Sequence, residues 1–173
     1  MLFYPCAYAD CAVQTLYVHS IFNPDIIQLE NSFRAALGNN KTVVAYTKVP
    51  RGLIVSIEES MLFNKGSVQI RQDGYKILDC FVAVLSQFDN RCVVESHTEE
   101  NFSENSEYKE DWEISIRRAN AISDYLVNKG KLAQERIFPL GFGEFMPYKE
   151  TVSKIGFFDN RIDFVIIDYD YKR

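Results

Sequence analysis

Residues 112–129 read WEISIRRANAISDYLVNK. Trp112, Ile116, Ala119, Ile122 and Leu126 recur at steps of four, three, three and four, the period of one helical face. Gly130 stands where a C-cap belongs. At about 100° per residue, Arg118 falls roughly 100° from the centre of that stripe and Arg117 roughly 160°. The spacing therefore predicts Arg117 in water and Arg118 at the core border, within reach of a neighbouring loop. From spacing alone, the simplest account of Arg118 is a helix-edge ion pair, with Asp111 or Asp163 as partner.

Working upstream from this helix, the polar run His97–Asp111 reads as a loop and Cys92–Ser96 as a strand. Ile77, Phe81, Leu85 and Phe88 mark a second amphipathic helix over Ile70–Phe88. Leu53, Val55 and Ile57 alternate in a strand with one face in the core. Glu58-Glu59 reads as its solvated end. Downstream, Arg136–Leu140 is a strand, Gly141-Phe-Gly143 a turn, and Arg161–Asp168 a last strand with Ile162, Phe164 and Ile166 on one face. The order strand, helix, strand, helix, strand, loop, strand implies an α+β sandwich: two helices on a mixed four-stranded sheet. Residues 51–173 form that domain. Residues 1–50 form an N-terminal segment, with a short helix over Ile26–Leu37 (Ile26, Leu29, Phe33, Leu37) and extended chain over Thr42–Val49.

At 173 residues, 47% hydrophobic and 25% charged, the chain has room for one core-bearing domain and a short extension. The net charge of −5 argues against nucleic acid, whose phosphates need a basic partner field. Residues 1–22 carry one full charge, Asp10, and are a candidate membrane segment by length. Pro5, Gln14, His19 and the aspartate itself weigh against a span. The first basic residue is Arg34, so a secretory leader lacks its basic start. Cys6, Cys11, Cys80 and Cys92 follow no zinc spacing, and with His19 and His97 as the only histidines no metal site is expected. Cys80 and Cys92 read as small core residues, open to a disulfide in an oxidising compartment. Ser96-His97 does not make a hydrolase, because adjacent strand residues point apart and no nucleophile elbow is present. No enzyme constellation emerges and no cofactor is implied.

Five short motifs resemble one family in order. Leu62-Phe63-Asn64-Lys65-Gly66-Ser67 follows the first strand. Ser96-His97-Thr98-Glu99 resembles a Gly-His-Thr-Asp turn. Asp111-Trp112-Glu113-Ile114-Ser115 leads to Arg118-Ala119-Asn120. Gly141-Phe-Gly143-Glu144 precedes Pro147, and Asn160-Arg161-Ile162-Asp163 opens the last strand. Together, over about 120 residues, they resemble the C-terminal peptidoglycan-binding domains of the OmpA/MotB family, on the MotB side.

The resemblance implies a non-enzymatic cell-wall anchor holding the diaminopimelate end of a peptidoglycan stem peptide. That end carries an ammonium and a carboxylate. Glu99 is implied for the first and Arg118 for the second, because a planar guanidinium holds a carboxylate through paired bonds. Thr98, Asp111, Asn160 and Arg161 are implied as supporting groups. A periplasmic location, a homodimer and a MotA-like membrane partner, as in a flagellar stator, also follow from the resemblance, with residues 24–50 as a linker. The departures point to a weakened or retuned pocket. Ser96 replaces the family glycine and Glu99 its aspartate, while Asp111, Asp159 and Asn160 shift the neighbourhood by roughly three charges towards negative. Extra carboxylates compete for the arginine. The alternative is a structural or protein-interaction module that keeps the fold without the wall ligand.

Overall fold

The computed structural model describes residues 24–38, 44–100, 102, 108–147 and 159–168. Its first element, α1 (Pro24–Leu37), carries Ile26, Leu29 and Phe33 at helical spacing, each with no exposed surface. Each such side chain contributes roughly 1.5–3 kcal/mol of apolar burial. Gly38, at φ +76°, ends the helix in the left-handed region. The candidate membrane segment, residues 1–22, lies outside the described residues. Among the described residues, no helix is long and apolar enough to cross a membrane.

Next come β1 (Val44–Val49), β2 (Gly52–Glu58), α2 (Gln72–Leu85) and β3 (Cys92–His97). Then follow α3 (Asp111–Asp124), which continues as a π-helical turn over Tyr125–Lys129, β4 (Ile137–Gly143) and β5 (Arg161–Ile167). The α+β class holds: the described residues form three helices and a five-stranded sheet in the order β1-β2-β5-β3-β4. The strand beyond the four expected is β1. Only two residues, Pro50 and Arg51, separate it from β2, so the turn pairs them antiparallel with Val44 opposite Ile57 and Val49 opposite Gly52. Its apolar–polar alternation is too weak to announce it as a strand. β3 and β4 are parallel, bridged by α3, and the other pairings are antiparallel.

One face of the sheet holds the core. Leu53, Val55 and Ile57 of β2, Cys92 and Val94 of β3, and Ile162, Phe164 and Ile166 of β5 join buried residues of all three helices. Phe81 of α2 stacks on Phe164 at 3.8 Å and meets Phe33 of α1 at 5.0 Å between ring centroids. Cys80 and Cys92 carry free thiols rather than a disulfide. Burial in the core pushes the Cys92 thiol up to about 12.

The stripe on α3 differs from the one its apolar residues suggest. Ile114, Ser115, Arg118, Ala119, Ile122 and Ser123 are buried, whereas Trp112 is 51% exposed. The cause is a close backbone approach. A Cβ on Gly141 would stand 2.3 Å from Ile116 N, and one on Gly143 (φ +56°) 2.9 Å from Trp112 N. β4 thus meets α3 through bare backbone at the positions expected to carry the apolar seam. This rotates the Arg118 edge inward.

Candidate functional site

Among the described residues, Arg118 is the largest side chain with no exposure at all. Instead of lying at the core border, its guanidinium is enclosed. Nε donates to Ser67 O at 2.8 Å and Nη2 to Asn64 O at 3.2 Å. Nη2 also stands 2.9 Å from Glu59 Oε1. The rings of Phe63 and Phe102 flank it, each with its centroid 4.9 Å from Cζ, so cation–π attraction adds to the pairing. Nη1 is buried with no hydrogen-bond partner among the described residues. The ion-pair partner is neither Asp111 nor Asp163.

Glu59 is therefore a site residue that the sequence reading placed in solvent. It opens the 3₁₀ turn Glu59–Met61 after β2 and is buried. Burial raises its carboxyl above the ordinary range, more than the Arg118 charge lowers it. Burial likewise lowers the Arg118 pKa against the opposing pull of Glu59. The signal available in the sequence was the turn that follows. Phe63 and Ile70 pair as an isolated bridge, and Arg71 N donates to Leu62 O. This folds the 59–71 segment back over α3.

Glu59 and Glu99 share a cleft of about 260 Å³ with Glu58, Ser60, Phe63, Lys65, Phe102 and Asn160. Asn160 ties the two acids together: its side-chain oxygen accepts from Glu99 N at 2.8 Å, and its backbone carbonyl from Glu59 N at 3.2 Å. Glu99 is exposed at the rim. Thr98 is buried beside it, its amide donating to Gly143 O at 3.0 Å. Of the six residues expected at the site, Glu99 and Asn160 line this cleft, and Arg118 lies sealed beneath it through Glu59, Phe63 and Phe102. Asp111 begins α3, where its carbonyl accepts the Ser115 hydroxyl at 2.9 Å, and is not among the cleft residues.

Arg161 belongs elsewhere. It alternates with Ile162 along β5 and so faces the side of the sheet opposite the described helices. There, Nε donates to Asp163 Oδ2 at 3.0 Å and Nη2 to Met146 O at 3.2 Å. With Glu95, His97, Asp163 and Arg51 it lines a second cleft of about 200 Å³. His97 Nε2 is 3.4 Å from Asp163 Oδ2 and 3.9 Å from Glu95 Oε2, contacts without hydrogen-bond geometry. The possible ligand atoms of Glu95, His97 and Asp163 lie within 4.8 Å of one another. Spacing rules could not reveal this group, because strand pairing assembles it. Arg51 Nη2 is 3.2 Å from Glu95 and Arg161 holds Asp163, so each carboxylate already has a cation that a metal would have to displace. The arrangement ties β2, β3 and β5 by charge. Burial would raise Asp163, but His97 and Arg161 outweigh it and hold the carboxyl below its ordinary value.

Ser96 and His97 part to opposite faces of β3, Ser96 towards the core and His97 towards this second cleft. They do not form a nucleophile–base pair. A wider hollow of about 540 Å³ follows α1 past Ile27, Gln28, Asn31, Ser32 and Ala35 and offers no ionisable group.

A family model described as the OmpA family matches residues 62–161. Motility protein B of Bacillus subtilis (strain 168) is 26% identical over 111 residues, which is 64% of this chain and 42% of that protein. The chain spans less than half the length of the curated relatives it matches. A MotB-like protein from Desulfovibrio vulgaris has the same fold, with a TM-score of 0.70 at 18% identity, covering 83% of this chain and 94% of that one. So does the cell wall anchor of the T6SS from Pseudomonas aeruginosa, with a TM-score of 0.67 at 19% identity and coverage of 80% and 96%.

Proposed function

The chain belongs to the OmpA family, and on that premise we propose that it is a non-catalytic peptidoglycan-binding anchor of the cell envelope. The observation that carries this reading is the cleft in which Glu99 and Asn160, both at family motif positions, open onto solvent above Arg118. Such a site holds a charged ligand end and offers no nucleophile–base pair for turnover. A periplasmic location fits a wall ligand. A flagellar-stator setting, with a homodimer and a MotA-like membrane partner, is the finer form of the proposal. It rests on the resemblance of Asp111-Trp112-Glu113-Ile114-Ser115 to the MotB branch. The presence of a wall anchor from a different machine among the similar folds keeps anchoring itself as the central claim.

One observation favours a second reading, a structural module without a wall ligand. The arginine expected to receive the ligand carboxylate already has an internal carboxylate, Glu59. Co-sedimentation of the purified chain with insoluble sacculi separates the two. If the chain is an anchor, sacculi retain the wild type and release the exposed-site variant Glu99→Ala, whereas a scaffold stays in the supernatant in both forms.

A further inference from the structure

We propose that the cleft takes a primary ammonium end that carries no free carboxylate beside it. In a stem peptide this is a lysine-type side chain, or a diaminopimelate whose outer carboxyl is amidated. The inference rests on the anchoring reading above and names the class of ligand end for that site.

Arg118 is fully buried, and Glu59, Ser67 O and Asn64 O occupy its Nη2 and Nε. Nη1 has no hydrogen-bond partner among the described residues but is buried, so a ligand carboxylate would have to displace the enclosing Glu59, Phe63 or Phe102, and Glu59, tethered to the same fold, competes as an intramolecular partner at high effective concentration. Eviction would also strand a second carboxylate in the same small cleft.

What the cleft presents to a ligand is mostly negative. Glu58, Glu59 and Glu99 line it, and the Ser60 hydroxyl donates to Glu58 Oε1 at 2.8 Å. The cation among the described lining residues is Lys65, which is exposed and solvent-screened. Asn160 holds the backbones of Glu59 and Glu99 together and both side chains line one cleft, an acidic seat in which Glu59 also faces Arg118. An ammonium satisfies that seat. A carboxylate on the adjoining carbon would be set against it, and like-charge juxtaposition is the usual means of rejecting a near-identical ligand. The Phe63 and Phe102 rings border the space and suit an aliphatic stem.

Calorimetric titration with three soluble stem peptides tests this. They differ only in the third residue: lysine, amidated diaminopimelate, or diaminopimelate with its free carboxylate. The first two should bind wild type roughly tenfold more tightly than the third. Glu99→Gln should weaken all three. Glu59→Gln should raise affinity for the free-carboxylate peptide, because Arg118 then lacks its carboxylate partner. If that variant does not fold, as judged by circular dichroism, the wild-type ranking decides alone. Tightest binding of the free-carboxylate peptide by a chain that sacculi retain would overturn the inference and leave anchoring intact. Failure to bind any peptide, together with no retention by sacculi, would remove both.

Discussion

Arg118 Nη2 and Glu59 Oε1 lie 2.9 Å apart with almost no exposure on either side chain. Arg118 of α3 and a carboxylate from the turn after β2 therefore form a buried pair. Taking away one partner leaves a buried charge, so Glu59→Ala should cost about 3–5 kcal/mol. Replacing both with apolar residues, Glu59→Leu with Arg118→Met, should cost less than Glu59→Ala alone, since no charge is stranded. Urea denaturation of the three variants measures this, and a double variant less stable than the single would refute the pairing energetics.

Four carboxyls that are buried or half-buried set the pH dependence of stability. Burial raises Glu59 and Glu95 above their ordinary value of 4.5. A raised acid binds protons more tightly folded than unfolded, so its contribution is full below 4.5 and is lost as pH climbs through the folded value. Asp163 and Glu30 are lowered; burial opposes the shift in each, while His97 and Arg161, and Lys48 and Arg34, respectively outweigh it. Their contribution is present above the ordinary values of 3.8 and 4.5 and is lost as pH falls through the folded ones. Thermal melts stepped through pH should rise from neutrality towards mild acid and then fall. Glu59→Gln and Glu95→Gln together should flatten the neutral side.

Gly141 tests how α3 is seated. A methyl group there would stand 2.3 Å from Ile116 N and 2.6 Å from Ile116 Cα, both backbone atoms that cannot swing aside. Gly141→Ala should cost about 1–3 kcal/mol as overpacking. The shift of α3 should also appear as altered fluorescence of Trp112, the only tryptophan. Unchanged stability and emission would show that α3 is not held against β4 in this way.

The N-terminal helix makes a further prediction. Phe33 is fully buried against Phe81, so Phe33→Ala should destabilise the whole chain by about 3–5 kcal/mol. It should do so in a single unfolding transition shared with Trp112. Two separate transitions would mean that α1 is an independent appendage.

The parts of this fold legible in the sequence are those with strong periodicity or turn chemistry. Ile162, Phe164 and Ile166 announced β5, and Ile26, Leu29 and Phe33 announced α1. β1 was hidden because Val44–Val49 lacks clear alternation and its identity comes from pairing with β2. Arg118 was placed too far outward because the apolar positions Trp112 and Ile116 define a stripe that two glycines of β4 displace. At the candidate site, the short motifs pointed to Glu99 and Asn160, and both line the cleft. Glu59 was missed, because its burial depends on the turn that follows it. Arg161 was grouped with Arg118 by motif, yet strand alternation sends it to the other face. Nothing in local spacing foretold that Glu95, His97 and Asp163 would converge, since three-strand register brings them together.

The most direct test of the account is backbone amide chemical-shift mapping of the chain titrated with soluble peptidoglycan fragments. Saturable shifts centred on Glu99, Asn160, Lys65 and Ser60, abolished by Glu99→Gln, are expected. Shifts confined to the opposite sheet face around His97 and Arg161, or none at concentrations where other wall anchors saturate, would contradict this reading.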